Sequence, residues 1–336
     1  MEKNLIFIVG NSRSGTTMVG SILNMNKKVF TFEELHFFGQ LWSEDNLGKT
    51  INYLEASRLL KKLFIIQREL GYFGDIDIDD KTYEKEIKII LDKTSIYTLE
   101  SIFSDFLFYE TQLNDKSIPC EQTPRNLFYM KEILRIFPNV KIINMVRDPR
   151  DVLLSQKNKW KVRKNGISNI PFKEVFRSWI NYHPLTISKL WTSSIKMSEL
   201  YEDKILNIRF EDLIFNSEKT VSKICDYLGI EFDNNMLEIP QIGSSTKKSE
   251  FSKKGIDKTR KQNWLNGGLR NEEIYICQFL NKNYMNKFGY EIKKYTNINY
   301  FIFVYYMVTF PIKLALSLIL NISRVKNIVE TIKRRL

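Results

Sequence analysis

Leu5-Ile6-Phe7-Ile8-Val9, followed by Gly10-Asn11-Ser12-Arg13-Ser14-Gly15-Thr16-Thr17, decides the fold. An apolar run, a loop bounded by two glycines and a helix-forming stretch from Met18 to Met25 read as strand, anion-binding loop and helix. Gly10 and Gly15 can take positive φ, where a side chain is strained. Loop amides and the helix N-terminus then converge on an anion. The loop that holds nucleoside triphosphates, GxxxxGK[ST], needs a Lys where this chain has Thr16. Without that Lys, and with a cation at Arg13, the loop suits a smaller phosphate donor of different charge.

Outward from the loop the chain alternates. Residues 4–9 read as a buried strand and 16–26 as its helix. Residues 40–115 carry apolar residues at helical spacing (Leu59, Leu60, Leu63, Ile66; Ile87, Ile90, Leu91; Ile102, Phe106), which predicts a helical insertion covering the carboxyl edge of the sheet. Thr123-Pro124 opens a helix that ends before Pro138. Lys141 to Val146 is a second strand, stopping at Arg147-Asp148-Pro149, and a helix then runs to about Trp160. A third strand, Ile205 to Phe210, precedes a helix from about Glu218 to Leu228 that ends at Gly229, a suitable C-terminal cap. Residues 241–270 read as a long Gly/Ser/Lys-rich loop, and Asn271 caps a helix running to Gly289. Strands alternating with helices predict an α/β, P-loop-type three-layer fold with a mainly parallel sheet. Ligands of such sheets sit at the carboxyl ends of the strands. The expected organisation is one domain over 1–295 and an apolar, basic tail over 296–336.

The chain has 336 residues, 43% hydrophobic and 13% aromatic, enough for a sizeable core. Lys and Arg number 51 against 39 Asp and Glu, a net charge of +12. That excess fits a solvated basic surface, or an anionic ligand, substrate or membrane, and the loop favours the anionic ligand. Nucleic acid is not expected, since helix-turn-helix, zinc-finger and RNA-binding signatures are missing. Cys120, Cys225 and Cys277 are far apart and odd in number, with neither metal-site nor disulfide-framework spacing. The first strand begins near residue 4, which leaves no room for a signal peptide and predicts a cytoplasmic catalytic part.

Together these residues resemble the sulfotransferases that use 3′-phosphoadenosine 5′-phosphosulfate (PAPS). Gly10 to Thr17 is similar to their 5′-phosphosulfate loop. Val146-Arg147-Asp148-Pro149-Arg150-Asp151-Val152 with Ser155 is similar to their 3′-phosphate strand and helix, and Arg209-Phe210-Glu211-Asp212-Leu213 is also typical. The likeness spans residues 4–290. Arg13 in the loop points to the carbohydrate and protein-tyrosine branch.

The resemblance implies PAPS as co-substrate and a hydroxyl-bearing acceptor, such as a glycan or glycolipid. Arg13 would contact the phosphosulfate and steady the leaving oxygen. Ser14, Gly15, Thr16 and Thr17 would donate to the 5′-phosphate, and Arg147 and Ser155 would hold the 3′-phosphate. Arg147 beside Asp148 and Asp151 also fits a helix-start ion pair. Lys258 and Arg260 are the candidates for a further 3′-phosphate cation from the loop. The acceptor hydroxyl needs a general base. Glu34 stands where the branch carries its glutamate, with Glu33 and His36 as alternatives. Positioning and electrostatics dominate such a transfer, and no metal is required, because there is no triphosphate to neutralise. Gln122, in Glu121-Gln122-Thr123-Pro124-Arg125, departs from the family pattern, which has Lys there, and puts a second catalytic cation in doubt. Trp264 reads as a packing anchor and His183 as a structural histidine. The competing readings are a P-loop kinase, disfavoured by the missing loop Lys and Walker-B acid, and an inactive phosphonucleotide-binding module.

Tyr300 to Leu320 is long and apolar enough to span a bilayer, but Pro311 and Lys313 interrupt it and a basic segment follows. A spanning helix would separate the body from cytosolic PAPS. The alternatives are a monotopic anchor on the cytoplasmic membrane face, and helices packed on the domain or in a homodimer interface.

Overall fold

A computed structural model describes residues 4–69, 82–161, 171–241, 254–260, 262–294 and 297–335. Its sheet contains β1 (Ile6–Gly10), β2 (Val29–Thr31), β3 (Ile118–Glu121), β4 (Lys141–Val146) and β5 (Ile205–Arg209) in the order β2-β3-β1-β4-β5, with every pairing parallel. The helices are α1 (Thr16–Asn24), α2 (Tyr53–Glu69), α3 (Glu84–Leu91), α4 (Leu99–Leu113), α5 (Met130–Ile136), α6 (Pro149–Lys157), α7 (Phe172–Asn181), α8 (Pro184–Leu200), α9 (Phe210–Phe215), α10 (Ser217–Leu228), α11 (Asn271–Lys287), α12 (Tyr300–Asn321) and α13 (Ile328–Arg335).

β1 shows why the fold has three layers. Successive side chains of a strand point to opposite faces. Leu5, Phe7 and Val9 enter one core with α2, α3, α4 and α5, while Ile6 and Ile8 enter another with α1, α9 and α10. A parallel sheet needs both faces covered, and these two cores cover them. A third cluster joins Val146 and α6 to α8 and α11 through Val152, Leu153, Trp191 and Cys277. All three cysteines are buried.

The insertion at 40–115 forms a layer under one sheet face instead of a cover on the carboxyl edge. Its apolar stripes supply about half of the first core, where Phe37 stacks on Phe103 at 4.0 Å. The helix expected from Pro124 starts as a 3-10 segment to Tyr129 before α5 continues it. Much of the expected long loop, residues 242–253 and 261, lies outside the described residues.

The tail is built into the body on one side. Ser317 Oγ and Asn321 Nδ2 donate to Asn181 Oδ1 (2.7 and 2.9 Å), Lys313 Nζ donates to the Tyr182 carbonyl (3.1 Å), and Arg324 pairs with Glu174 (2.6 Å). Arg334 of α13 reaches the buried Glu132 at 2.8 Å and stacks on Tyr129 at 4.5 Å. The other side of α12 exposes Phe301, Tyr305, Val308, Ile312, Leu316 and Ile319.

Candidate active site

Strand register brings the distant motifs together. Gly10 lies opposite Met145, and Val146 opposite Arg209, so the loop after β1, Arg147 and Phe210 leave the carboxyl edge side by side. β1 is also where strand order reverses, with β3 on one side and β4 on the other, the usual place for a ligand crevice. A cavity of about 670 Å³ opens there, lined by Arg13, Gly15, Thr16, Thr17, Glu34, Arg147, Ser155, Lys159, Phe210 and Arg260 among others. A second cavity of about 430 Å³ opens by the amino end of β1 around Leu5, Phe137 and Val140, away from every phosphate motif.

Two glycines let the loop sit so close. A Cβ on Gly10 (φ 146°) would stand 2.5 Å from the Met145 carbonyl, and one on Gly15 (φ 97°) would stand 2.5 Å from the Phe210 ring. Arg13 also has positive φ, 75°. Its neighbours hold it there: the Ser14 amide donates to the Asn11 carbonyl (3.2 Å), Arg13 Nε to Ser155 Oγ (2.9 Å), and Arg147 Nη1 to the Arg13 carbonyl (3.3 Å). A left-handed residue costs on the order of 1–2 kcal/mol, and such strain persists where contacts over-determine it. The first amides of α1 lack intrahelical acceptors by geometry, and the ladder begins with the Met18 amide on the Gly15 carbonyl (3.0 Å).

Arg147 rests on the Phe210 ring, 4.2 Å from its centroid, and donates to the Arg260 carbonyl at 3.0 Å. It also stands 3.6 Å from Asp151, so the helix-start ion pair exists alongside its place in the cleft. Burial, then Arg147 and Arg260, push the Arg13 guanidinium below its ordinary pKa, while Glu34 opposes them. Three guanidinium groups crowd one crevice, and a multiply charged anion would relieve their repulsion.

Of the loop cations, Arg260 lines the cleft and pairs with Asp257 at 3.0 Å. Lys258 is exposed to solvent and is not among the described lining residues. Trp264 is buried under the Arg150 guanidinium, 3.9 Å from the ring centroid, with its amide donating to Asp151 Oδ1 (3.0 Å). Gln122 turns the other way: its Oε1 would lie 2.7 Å from a Cβ on Gly20, and it too is absent from the described lining.

The three candidate bases separate by position. Glu34 faces the cleft. His36 lies behind it, buried, with Nε2 3.2 Å from Glu34 Oε2 and its amide donating to Thr123 Oγ1 at 3.1 Å. Thr123 in turn donates through both its amide and its hydroxyl to the buried Glu121, whose carboxyl burial pushes up to about 7. Glu33 is exposed, outside the described lining, and donates its amide to Gln67. Burial works to raise the Glu34 pKa, but His36, Lys159 and Arg125 outweigh it and hold the carboxylate below its ordinary range. Burial, with Arg125 and Lys159, lowers His36 despite Glu34, so the ring is neutral near pH 7. An ionised carboxylate only accepts, which places the ring proton on Nε2.

Lys159 escapes the motif reading. It follows Ser155 by four residues, one helical turn along the same face. That spacing is the signal that would have marked it.

A sequence profile of the sulfotransferase family matches residues 5–234. An uncharacterised protein of Aquifex aeolicus is 22% identical over 305 residues, covering 88% of this chain and 34% of that one. Protein-tyrosine sulfotransferase 1 of Danio rerio is 22% identical over 244 residues, covering 71% of this chain and 56% of that one. The chain thus spans a third to just over half the length of these relatives. Among solved structures, the sulfotransferase domain of the Synechococcus PCC 7002 olefin synthase superposes with a TM-score of 0.51 at 19% identity, over 86% of this chain and 96% of that domain. The sulfotransferase domain from the curacin biosynthetic pathway gives 0.52 at 17% identity, over 86% and 99%.

Proposed function

Since this chain belongs to the sulfotransferase family, we propose that it moves a sulfuryl group from PAPS to an acceptor hydroxyl, with Glu34 as general base. The observation that carries this reading is the single cleft shared by Arg13, Arg147 and Glu34. Its residues fit the donor. Ser14 Oγ and Arg147 Nε are buried without hydrogen-bond partners among the described residues, and a Cβ on Gly15 would close the loop against Phe210. Arg147, Ser155 and Arg260 would hold the 3′-phosphate, and Arg13 with residues 14–17 the 5′ end. When bound, PAPS supplies the sulfuryl group and leaves as a bisphosphate.

The chain's part is positioning and charge. Arg13 and the α1 amides favour negative charge accumulating on the leaving phosphate. Glu34, kept ionised, accepts the acceptor's proton as its oxygen bonds to sulfur, and neutral His36 fixes the carboxylate's orientation. Calorimetry with adenosine 3′,5′-bisphosphate and radiolabelled sulfate transfer to a hydroxyl library test this together. Glu34→Gln should keep bisphosphate affinity within about threefold and lower turnover by about 10²–10⁴, the usual reach of a general base. Near-normal turnover in that variant would remove Glu34 from the mechanism.

The acceptor is a glycan or glycolipid at a membrane surface. α12 supports this: its polar side chains bond to the body while Phe301, Tyr305, Val308, Ile312, Leu316 and Ile319 face outward, 84% of Phe301 being exposed. A helix held flat by one face and apolar on the other suits monotopic contact, with the body on the cytoplasmic side. Wild-type protein should sediment with anionic phospholipid vesicles and Phe301→Ser/Val308→Ser/Ile312→Ser should not. Equal sedimentation would refute the surface contact.

A further inference from the structure

A cation in no motif lines the cleft as a charged neighbour of Glu34. α6 runs through Asn158 into a 3-10 turn at 159–161, and Asn158, Lys159 and Lys161 line the cleft together with Ser155 and Arg13. We propose that Lys159 binds the sulfuryl oxygens beside Glu34 and carries part of the charge that builds on them during transfer. This rests on the donor reading above.

Three observations support it. Lys159 lines the same cleft as Glu34 and Arg13, and it and Glu34 are charged neighbours. Gln122, a potential donor in the strand-to-turn segment 121–124, is packed against Gly20 instead, and the Thr123 hydroxyl is engaged by Glu121. The charges around Lys159 among the described residues are also unbalanced: Arg13, Arg125 and Arg324 oppose its ammonium, and Glu34 favours it. Partial desolvation in the cleft, then Arg13 and Arg125, lower its pKa to about 8, although the residue keeps access to solvent. An anion in the cleft would reverse that balance and load the amine with its proton, so Lys159 would reach full charge when donor is present. Arg324, itself paired with Glu174, ties the tail to this balance.

The test reads protons as well as turnover. Bisphosphate binding is followed by calorimetry at pH 8 in phosphate and in Tris, whose ionisation enthalpies differ. The wild-type chain should take up as much as about half a proton per site. Lys159→Met should take up essentially none while melting at the wild-type temperature. In turnover, Lys159→Met should lose about 10²-fold in kcat, the usual effect of deleting one charge-stabilising donor, with a much smaller change in KM for PAPS. Lys159→Arg should recover at least a tenth of the wild-type rate. Unchanged proton uptake in Lys159→Met, or kcat within threefold of wild type, overturns the assignment. If the wild-type chain fails to bind the bisphosphate at all, the donor reading itself fails and this assignment with it.

Discussion

Gly15→Ala is the sharpest perturbation of the site, because one methyl group acts on two parts of it. The added Cβ meets a backbone at φ 97° and the Phe210 ring at 2.5 Å. Left-handed backbone with a side chain costs about 1–2 kcal/mol, and forcing a methyl group into packed surroundings about 1–3 kcal/mol. The expected destabilisation is therefore about 2–5 kcal/mol. With about 2.1 cal/mol/K of unfolding entropy per residue, a chain of this length should melt about 3–7 °C lower. The ring also carries Arg147 at 4.2 Å. A displaced ring moves that guanidinium, and losing one hydrogen bond to a charged group, about 1.5–3 kcal/mol, should weaken bisphosphate binding roughly 10- to 150-fold. Gly229→Ala is the control: its φ is 69° and nothing lies within 4 Å of the added Cβ. It should show only the backbone cost and bind bisphosphate normally. Thermal melts and calorimetry on both variants decide the matter. Equal melting temperatures with unaltered binding in Gly15→Ala would mean that Phe210 does not press the loop into shape.

Two further outcomes follow from the same geometry. Arg147→Ala should weaken bisphosphate binding about 10- to 100-fold and flatten its salt dependence, and calorimetry from 50 to 300 mM salt (about 14 to 6 Å of screening length) checks both. His183 is buried against Tyr306 and Phe310 of the tail, and burial followed by Lys313 lowers its pKa to about 4. Since the unfolded imidazole titrates near 6.5, the neutral ring stabilises the fold above that pH and loses its contribution as pH falls, about 2 kcal/mol by pH 5. Urea midpoints at pH 7.5 and 5 should therefore drop more in wild type than in His183→Gln, and equal drops would refute the linkage.

The sheet's centre was legible because β1 and β4 are five and six residues of nearly unbroken apolar sequence, each ending in a polar switch to helix. β2 and β3 were not, for local reasons. β2 has three residues, and β3 is the four residues Ile118-Pro119-Cys120-Glu121, whose Pro argues against a strand and whose Glu is a charge buried by the fold. The two phosphate motifs could be paired from their order alone, but their approach depends on strand register, which local sequence does not state. The same limit hid Lys159. Its four-residue step from Ser155 was visible, whereas its meeting with Glu34 requires β1, β2 and α6 to be in place. Glu34 and His36 could not be ranked from adjacency either. They separate in the fold, where Glu34 lines the cleft while His36, at φ 50°, donates its amide to Thr123 and is buried with its ring against Glu34.

The tail was ambiguous for a different reason: its composition satisfies both a bilayer and a packed helix, and only the direction of its few polar atoms separates them. Lys313, Ser317 and Asn321 recur at intervals of four, which puts them on one stripe, and the structure turns that stripe to the body. For a spanning helix those groups would need partners inside the hydrocarbon. Here Asn181 and Tyr182 on and beside α7 provide them, so pulling α12 into a spanning position would strip Lys313 of its carbonyl and leave Asn181 without its two donors. Apolar residues at 301, 305, 308, 312, 316 and 319 remain on the opposite stripe, and exposing that much continuous apolar surface to water is costly. A stripe docked on the body with an apolar stripe opposite would be satisfied at a membrane surface, as proposed above. Vesicle sedimentation distinguishes that from a dimer interface, which would instead show as concentration-dependent self-association.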